Sequence, residues 1–207
     1  MRKFAIILAS VSLLFAALPV SESFTGADST PLPTYNANWV DATGSFVIDS
    51  NSARPATALV YNTDGWTGDT FSNDQYSETT LFTITTNTYV GAAVRVNTAN
   101  TDAYVCITDG ANITLQQVLG TGSAQTISSS AASIVSGDVI RLEVSGTSLT
   151  CKVNGVTTLS GSDSDLTGGR AGISSFCIGA CGVSLINSWT ADNLSAASTR
   201  RKSIFFQ

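Results

Sequence analysis

The strongest constraint on the fold lies in residues 137–158, which read GDVIRLEVSGTSLTCKVNGVTT and alternate apolar and polar residues almost without error. Successive side chains of a β-strand point to opposite faces, so this alternation predicts strands with one buried face and one face in water. The Gly146-Thr147 pair predicts a tight turn between two such strands, and Asn154-Gly155 predicts the next turn. The predicted inward positions are Ile140, Leu142, Val144, Leu149, Cys151 and Val153. On the polar face, Arg141 or Glu143 can meet Lys152 across the strands, as a surface pair worth about a few tenths of a kcal/mol.

The same pattern of short strands and turn residues recurs along most of the chain. Asp-Gly, Asn-Gly, Thr-Gly and Gly-Gly pairs separate the strand-like segments, and no window shows the uninterrupted apolar period of a long amphipathic helix. The predicted strands are residues 45–49, 57–61, 75–85, 90–97, 103–109, 114–119, 125–128, 139–145, 148–154, 169–174 and 183–193. Many short strands at this spacing are typical of an all-β sandwich or barrel with antiparallel sheets.

The first residues have the pattern of a secretory signal peptide. Arg2 and Lys3 precede an apolar run that ends near Pro19, which is slightly short for a membrane-spanning helix, and no second such run follows. We assign residues 1–23 to the signal peptide, with cleavage between Ala17 and Ser23, and residues 24–194 to one domain. Residues 195–207 form a basic and apolar tail. We therefore expect a secreted or cell-surface protein that has no membrane span after cleavage of the signal peptide.

Composition excludes several classes of function. The chain has 10 Lys and Arg against 15 Asp and Glu, a net charge of −5, and removal of Arg2 and Lys3 would make it more acidic. An acidic chain with few cations disfavours a nucleic-acid partner. The sequence contains no histidine, which removes the commonest general base, the commonest zinc ligand and every Ser-His-Asp or Cys-His mechanism.

Four cysteines lie in the part of the chain that would be exported, where an oxidising compartment favours disulfides. Three connectivities are open. We favour Cys177 with Cys181, because the CIGAC sequence is a Gly-containing turn, and then Cys106 with Cys151. The second pair requires neighbouring strands with both side chains on the same face. The alternative for Cys106 and Cys151 is a pair of small buried apolar residues.

At the hairpin of residues 137–158 the sequence resembles the concanavalin A-like lectin/glucanase superfamily, which includes laminin G-like jelly rolls and domains of bacterial secreted and phage tail proteins. Further matching segments are NDQYSETTL at 73–81, VGAAVRVN at 90–97, LTGGRAGI at 166–173 and SWTADNL at 188–194, the last similar to a closing strand that pairs with the N-terminal FTGADSTPL. The resemblance implies a two-sheet antiparallel jelly-roll β-sandwich. It also implies ligands bound at a concave face or at loops along its rim.

The resemblance does not extend to the catalytic residues of the glucanases. Retaining glycoside hydrolysis needs two carboxyl groups about 5–5.5 Å apart, which those glucanases place on one strand as two glutamates with an aspartate between them. This chain has three glutamates, Glu22, Glu78 and Glu143, and none stands in that spacing. We therefore expect a protein that is not an enzyme.

The first candidate ligand site combines Asp74, Tyr76 and Glu78, on one side of a predicted strand, with Arg95 on the expected neighbouring strand. An aromatic ring flanked by a carboxylate and a guanidinium suits a sugar, whose C–H groups stack on the ring while its hydroxyls form hydrogen bonds. The alternative is a plain cross-strand ion pair between Glu78 and Arg95, with Tyr76 half-buried.

The tryptophans divide into two groups. Trp66 lies in NTDGWTGDT, a segment rich in Asp and Gly, and an exposed loop Trp would be a second ligand contact; the alternative is a Trp folded back over the sandwich edge. Trp39 and Trp189 lie in predicted strands and are expected in the core or at a sheet edge.

No cofactor is expected, with calcium as one weak candidate. The segment GSDSDLTGG offers Asp163 and Asp165 as oxygen ligands two residues apart, and laminin G-like relatives often bind calcium. Asx turns explain these residues equally well.

Three hypotheses for function follow. The preferred one is a secreted, non-catalytic recognition module that binds carbohydrate or another cell-surface ligand. The second is a structural or adhesive subunit of a cell-surface or phage-like assembly, with homo-oligomer or partner contacts through the RRKSIFFQ tail. The third is a weak or degenerate glycoside hydrolase.

Overall fold

The computed structural model describes residues 18–120 and 123–194. Within them the chain is almost entirely β-structure, with one short helix, α1 (Leu32–Tyr35). The strands are β1 (Val20–Glu22), β2 (Trp39–Thr43), β3 (Phe46–Asp49), β4 (Ser52–Pro55), β5 (Tyr61–Trp66), β6 (Gln75–Thr83), β7 (Thr88–Asn97), β8 (Asp102–Thr108), β9 (Asn112–Leu119), β10 (Ser123–Ala131), β11 (Val139–Ser145), β12 (Ser148–Val153), β13 (Val156–Ser162), β14 (Arg170–Cys177) and β15 (Leu185–Asn193).

The strands form two antiparallel sheets. The first sheet has the order β13-β12-β11-β6-β15-β4-β3, and β1 pairs with β15 beside this path; the second has the order β10-β9-β8-β7-β14-β5-β2. Strands that are distant in sequence are neighbours in both sheets, as in a jelly roll. The predicted all-β sandwich is confirmed.

The core lies between the sheets and is centred on aromatic side chains. Trp39 and Trp189 are buried with ring centroids 4.7 Å apart, and Phe24 packs 5.8 Å from Trp39. Both tryptophans therefore have the core position that their strands predicted. Inward aliphatic residues of β6, β7, β11 and β14 complete this cluster.

The hairpin of β11 and β12 has the predicted register and faces. Leu142 lies opposite Cys151, and both side chains are fully buried. On the outer face, Lys152 Nζ lies 2.8 Å from Glu143 Oε2, which is the predicted surface pair.

Both predicted disulfides are confirmed. Cys106 on β8 bonds Cys151 on β12, with Cα atoms 6.0 Å apart, and Cys177 bonds Cys181 with Cα atoms 5.0 Å apart. The expected geometry of the first pair was wrong, because β8 and β12 lie in different sheets and the bond crosses the core. It joins the two layers of the sandwich directly.

The sandwich starts earlier than predicted. Strand β1 pairs with β15, and Val20 is buried, so the domain boundary at Phe24 is four residues late. The predicted closing strand is β15, which pairs with β1, β4 and β6. The FTGADSTPL segment at 24–32 is therefore not its partner. The predicted strand at 57–61 is also wrong, because β4 ends at Pro55 and β5 begins at Tyr61.

The N-terminal apolar run at residues 4–17 and the tail at 195–207 lie outside the described residues, so the signal peptide and the assembly contacts of the tail stay predictions. No helix among residues 18–120 and 123–194 is long and apolar enough to cross a membrane.

Candidate functional site

The outer face of the second sheet is concave. Tyr61 on β5 donates a hydrogen bond to Gln116 Oε1 on β9 at 2.8 Å, although β14, β7 and β8 lie between these strands. Four strand spacings amount to about 19 Å in a flat sheet, which is more than the two side chains and their hydrogen bond can span. The sheet must therefore curve strongly, with its outer face on the inside of the curve.

Two glycines at the centre of this sheet allow the strands to approach closely. A Cβ atom on Gly91 would lie 2.1 Å from the carbonyl oxygen of Cys106, and one on Gly172 would lie 2.0 Å from that of Asp64. Any other residue would push the neighbouring strand away. Glycine in a strand interior often marks such close backbone approach.

A cavity of about 460 Å³, here called the rim pocket, lies at one end of the concave face, where β7 ends and β14 begins. This volume falls within the range of about 300–1,000 Å³ that is usual for small-molecule sites. The rim pocket is lined by Asp69, Thr70, Phe71, Val96, Asn97, Thr98 and residues 167–170. A carboxylate, a guanidinium, an aromatic ring, an amide and several hydroxyls therefore face one space.

Asp69 is positioned in the rim pocket by a buried tryptophan. Its Oδ2 accepts a hydrogen bond from Trp66 Nε1 at 2.9 Å, and Trp66 itself is only 4% exposed and packs against Trp39 and Trp189. The prediction of Trp66 as an exposed ligand contact is therefore wrong. The alternation of β5 turns this side chain inward, where it holds the carboxylate that lines the cavity.

Arg170 supplies the positive charge of the rim pocket. It is the first residue of β14 and lies opposite Val96, and because its neighbour Ala171 packs in the core, Arg170 points to the concave side. Within residues 18–120 and 123–194, Arg170 is the one Lys or Arg whose side chain has no ion pair or hydrogen bond to the protein. The other four are Arg54, Arg141 and Lys152, each in an ion pair, and Arg95, bonded to carbonyls.

At the opposite end of the concave face lies a group of three aromatic side chains, Tyr61, Tyr89 and Phe176, here called the aromatic cluster. The rings of Tyr61 and Phe176 are 4.8 Å apart and tilted by 31°. A cavity of about 200 Å³ lies beside them, lined also by Gln116 and the half-exposed Ile178. Burial raises the pKa of Tyr61 to about 12 despite its bond to Gln116, so its hydroxyl stays a neutral donor at any physiological pH.

The predicted site on β6 is a surface ion-pair network. Tyr76 and Glu78 lie on the outer face of the first sheet, where the guanidinium carbon of Arg141 stands 3.4 Å from the centroid of the Tyr76 ring. Arg141 also contacts Glu78 at 3.6 Å and Glu143 at 2.7 Å. Arg141 thus covers the ring face that a sugar would need, through a cation–π contact. Glu78 forms a cross-strand ion pair, as the alternative hypothesis proposed, but its partner is Arg141 rather than Arg95.

Arg95 and Asp74 do not join Tyr76. Arg95 lies on β7 in the second sheet, at a bulge where its φ is +50°, and its guanidinium donates to the carbonyls of Asn73, Gly146 and Leu166. A bulge re-aims a side chain, and Arg95 is 3% exposed. Asp74 accepts hydrogen bonds from the Gly146 amide and from Ser145. Both residues hold loops together.

The calcium candidates are also occupied by protein contacts. Asp163 accepts hydrogen bonds from the Tyr104 hydroxyl and the Asp165 amide, which is an Asx turn, and Asp165 accepts one from Gln117. No group of three or more Cys, Asp or Glu suited to a metal ion occurs among the described residues.

The fold is similar to several solved structures. Carbohydrate binding module CBM66 from Bacillus subtilis matches with a TM-score of 0.57 and 12% identity over 75% of this chain and 92% of that chain. A protein of unknown function with a galectin-like fold, also from Bacillus subtilis, has a TM-score of 0.55 and 10% identity over 81% and 97%. A prokaryotic β-1,3-1,4-glucanase (lichenase) from a mouse hindgut metagenome has a TM-score of 0.54 and 8% identity over 84% and 99%.

These similarities confirm the predicted concanavalin A-like jelly-roll fold, and at such low identity they show the fold alone. In sequence, no protein-family model and no curated protein matches the chain.

Sequence reasoning missed the residues that line the concave face. Each of these residues occupies an outward position of its strand; they are Tyr61, Tyr89, Phe176 and Arg170. They come together on one face only because β5, β14 and β7 are neighbours in the sheet, although these strands are far apart in sequence. One sequence feature did point to the rim pocket, namely the segment rich in Asp and Gly around Trp66. Asp69 and Phe71, which follow Trp66 closely in sequence, line the rim pocket.

Proposed function

We propose that this protein is an extracellular, non-catalytic carbohydrate-binding module and that the rim pocket takes a neutral sugar unit. The observation that carries the proposal is that one cavity of ligand size is lined by the carboxylate of Asp69 and by Arg170, whose side chain makes no ion pair or hydrogen bond within the described part of the chain. The two disulfides support an extracellular location, because such bonds persist in oxidising compartments.

The groups of the rim pocket match the chemistry of a sugar. Arg170 supplies donors and Asp69 supplies acceptors for hydroxyl groups, and hydrogen bonds to charged groups are the stronger ones. Phe71, which packs partly on the core, presents an apolar surface to sugar C–H groups. The Asn97 side-chain oxygen accepts bonds from the amides of Ala99 and Asn100, which leaves its NH2 group free to donate.

A neutral sugar fits this lining better than an acidic one. Arg170 and Asp69 carry opposite charges, so together they have no net preference for an anion. The net charge of −5 for the whole chain repels anionic polysaccharides at long range.

The test is glycan binding by the mature protein and its variants. Immobilised β-1,3-1,4-glucan, xyloglucan and mucin O-glycans form the panel, and at least one is expected to retain the wild type. Arg170→Ala is expected to weaken binding about tenfold or more, because one to two hydrogen bonds to a charged group are lost. Asp69→Asn keeps the acceptor for Trp66 Nε1 and should weaken binding while leaving the unfolding temperature unchanged.

Two controls separate the rim pocket from other surfaces. Arg54→Ala removes a cation that pairs with Asp49 on the first sheet, and Tyr76→Ala removes the ring beneath Arg141; both should bind glycan as the wild type does. Retention of no glycan, or full binding by Arg170→Ala, would refute the proposal. Release of reducing ends from the bound glycan would contradict the non-catalytic part.

A further inference from the structure

We infer that the end of the sandwich opposite the rim pocket binds the C-terminal segment of a second copy of this chain, residues 200–207, so that copies associate head to tail. This interaction surface is separate from the rim pocket, and the inference goes beyond the proposed function.

Exposed apolar side chains are concentrated at this end of the sandwich, where β6 and β14 end and β15 begins. Seven large apolar side chains are exposed among the described residues, and five of them lie on or next to the connecting loops at this end. These five, here called the distal patch, are Leu59, Phe82, Val135, Ile178 and Val183. Exposed apolar residues usually lie singly on a monomer, whereas a group of them marks a contact surface.

The loop between β6 and β7 holds one half of the distal patch together. The carbonyl of Asn87 accepts a hydrogen bond from the Ile178 amide at 2.8 Å, and the Thr85 hydroxyl donates one to the Val183 carbonyl at 2.9 Å. The Leu59 amide donates to the last carbonyl of β14 at 3.2 Å. These three apolar residues are therefore fixed around the same loops.

The other half of the distal patch adjoins the end of β6. Ser136 Oγ donates a hydrogen bond to the Phe82 carbonyl, and the Val135 amide donates one to Asp138 Oδ2 at 2.8 Å. Phe82 lies three residues before Thr85, so the chain after β6 connects the two halves. Asp138 places a carboxylate at the border of the distal patch.

The backbone holds Leu59 and Ile178 in exposed positions. Leu59 is 68% exposed and has a φ of +62°, which is the left-handed region that favours Gly and Asn. Neither burial nor backbone conformation therefore accounts for a leucine at this position. The disulfide between Cys177 and Cys181 closes the loop that carries Ile178. Residues kept in a costly conformation by the surrounding structure point to a function.

The C-terminal segment complements the distal patch in polarity and charge. It reads RRKSIFFQ at 200–207, with three cations followed by three large apolar residues. The described residues contain all 15 Asp and Glu of the chain but only five of its 10 Lys and Arg. Two such acidic domains repel each other, whereas a basic segment is attracted to either of them. Its apolar residues can then cover the distal patch, with the cations near Asp138.

The chain leaves the domain at the end opposite the distal patch, which favours a contact with a second copy. The Leu194 amide donates a hydrogen bond to the Asp74 carbonyl at 2.9 Å, beside the start of β6. The nine residues of β15, about 30 Å of strand, separate this point from the distal patch. Residues 195–203 span at most about 32 Å, so Ile204 of the same copy could reach the start of β15 only if that stretch were fully extended. A second copy whose distal patch faces this end requires no such return, and the contact can repeat from copy to copy.

The experiment tests whether two defective variants complement each other. Sedimentation velocity of the secreted protein measures association over a range of concentrations, and the wild type is expected to form oligomers that grow with concentration. Leu59→Asn/Ile178→Ser changes the distal patch, and Phe205→Ser/Phe206→Ser changes the segment. Each double variant should associate at least about tenfold more weakly, because burial of a large apolar side chain favours a contact by that much or more. An equimolar mixture should form dimers at concentrations where each variant alone is a monomer, because one intact patch then meets one intact segment.

Leu119→Ser is the matched control, since Leu119 is 41% exposed but lies at the end of β9, on the rim-pocket side of the sandwich; it should associate as the wild type does. Asparagine suits the φ of residue 59 and Ile178 is mostly exposed, so the patch variant should keep the wild-type unfolding temperature. If it does not, the segment variant carries the test, because its changes lie outside the domain.

Three results would overturn the inference. They are a wild type that stays monomeric up to about 1 mM, association that is unchanged in either double variant, and a mixture that forms no dimers. Binding of a monomeric wild type to phosphatidylcholine vesicles, lost in Leu59→Asn/Ile178→Ser, would also overturn it and mark a lipid contact instead.

Discussion

The Asp64→Asn variant is expected to be more stable than the wild type at neutral pH. Asp64 is fully buried on β5, and among the described residues neither of its carboxylate oxygens makes a hydrogen bond of good geometry. Burial, together with the facing carboxyl group of Asp41 on β2, raises the pKa of Asp64 well above its usual value. The backbone amide of Phe46 acts in the opposite direction, more weakly. Burial therefore favours the protonated form of Asp64 in the folded protein.

The sign and the size of the effect follow from proton linkage. In the unfolded chain Asp64 ionises near pH 3.9, whereas in the folded chain it ionises at a higher pH. Between these two values the folded state binds one more proton, so the free energy of unfolding falls by about 1.4 kcal/mol per pH unit. The stabilisation of the folded state by this extra proton is fully present below about pH 3.9 and is lost as pH rises through the pKa of Asp64 in the folded protein. Asparagine cannot ionise, has nearly the same volume and can donate to Asp41.

Urea denaturation from pH 4 to pH 7 at constant ionic strength measures this effect. The stabilities of wild type and Asp64→Asn should be similar at pH 4 and should diverge in favour of the variant as pH rises. Asp28→Asn is the control, because Asp28 is exposed and an amide oxygen can still accept the bond from the Ser50 amide; its curve should follow the wild type. Parallel curves for wild type and Asp64→Asn would refute a raised pKa of Asp64.

Three further predictions concern the scaffold. Gly91→Ala forces β7 away from β8 and should cost at least about 2 kcal/mol of stability; an unchanged urea midpoint would contradict the tight strand approach. Replacing Cys106 and Cys151 together by alanine should cost about 4 kcal/mol, from the loss of a cross-link that closes a loop of 45 residues, and a loss below about 1 kcal/mol would contradict this. Glu22 accepts hydrogen bonds from the hydroxyl of Tyr35 and from neighbouring amides, so the mature chain should still contain Glu22. Mass spectrometry of the secreted protein measures this, and cleavage after Glu22 would contradict the role of β1.

Local patterns predicted much of the fold. The hairpin of β11 and β12 was predicted with its register and faces, because strand alternation and turn residues are set by neighbours in sequence. The disulfide between Cys177 and Cys181 was predictable for the same reason, since a short Gly-containing turn brings its own ends together. The pairing of Cys106 with Cys151 followed by elimination, although its path across the core did not.

The candidate site was harder to predict because it depends on which strands are neighbours. Arg95 was expected beside Glu78, but β6 and β7 belong to different sheets, and a bulge turns Arg95 inward. Trp66 was expected in a loop, but β5 extends through it, and the alternation of the strand then buries its ring. The first error concerns which strands are neighbours and the second concerns where a strand ends, and local alternation determines neither.

The two outer faces of the sandwich differ in how far they satisfy their own charges. On the first sheet Arg141 and Lys152 are paired with Glu78 and Glu143, so a ligand there would have to replace contacts that the protein already makes. On the second sheet Arg170 has no such contact within the described residues, and Asp69 has committed one oxygen to Trp66. A ligand in the rim pocket would therefore gain hydrogen bonds without breaking an ion pair, and this difference in cost supports the proposal that recognition takes place in the rim pocket.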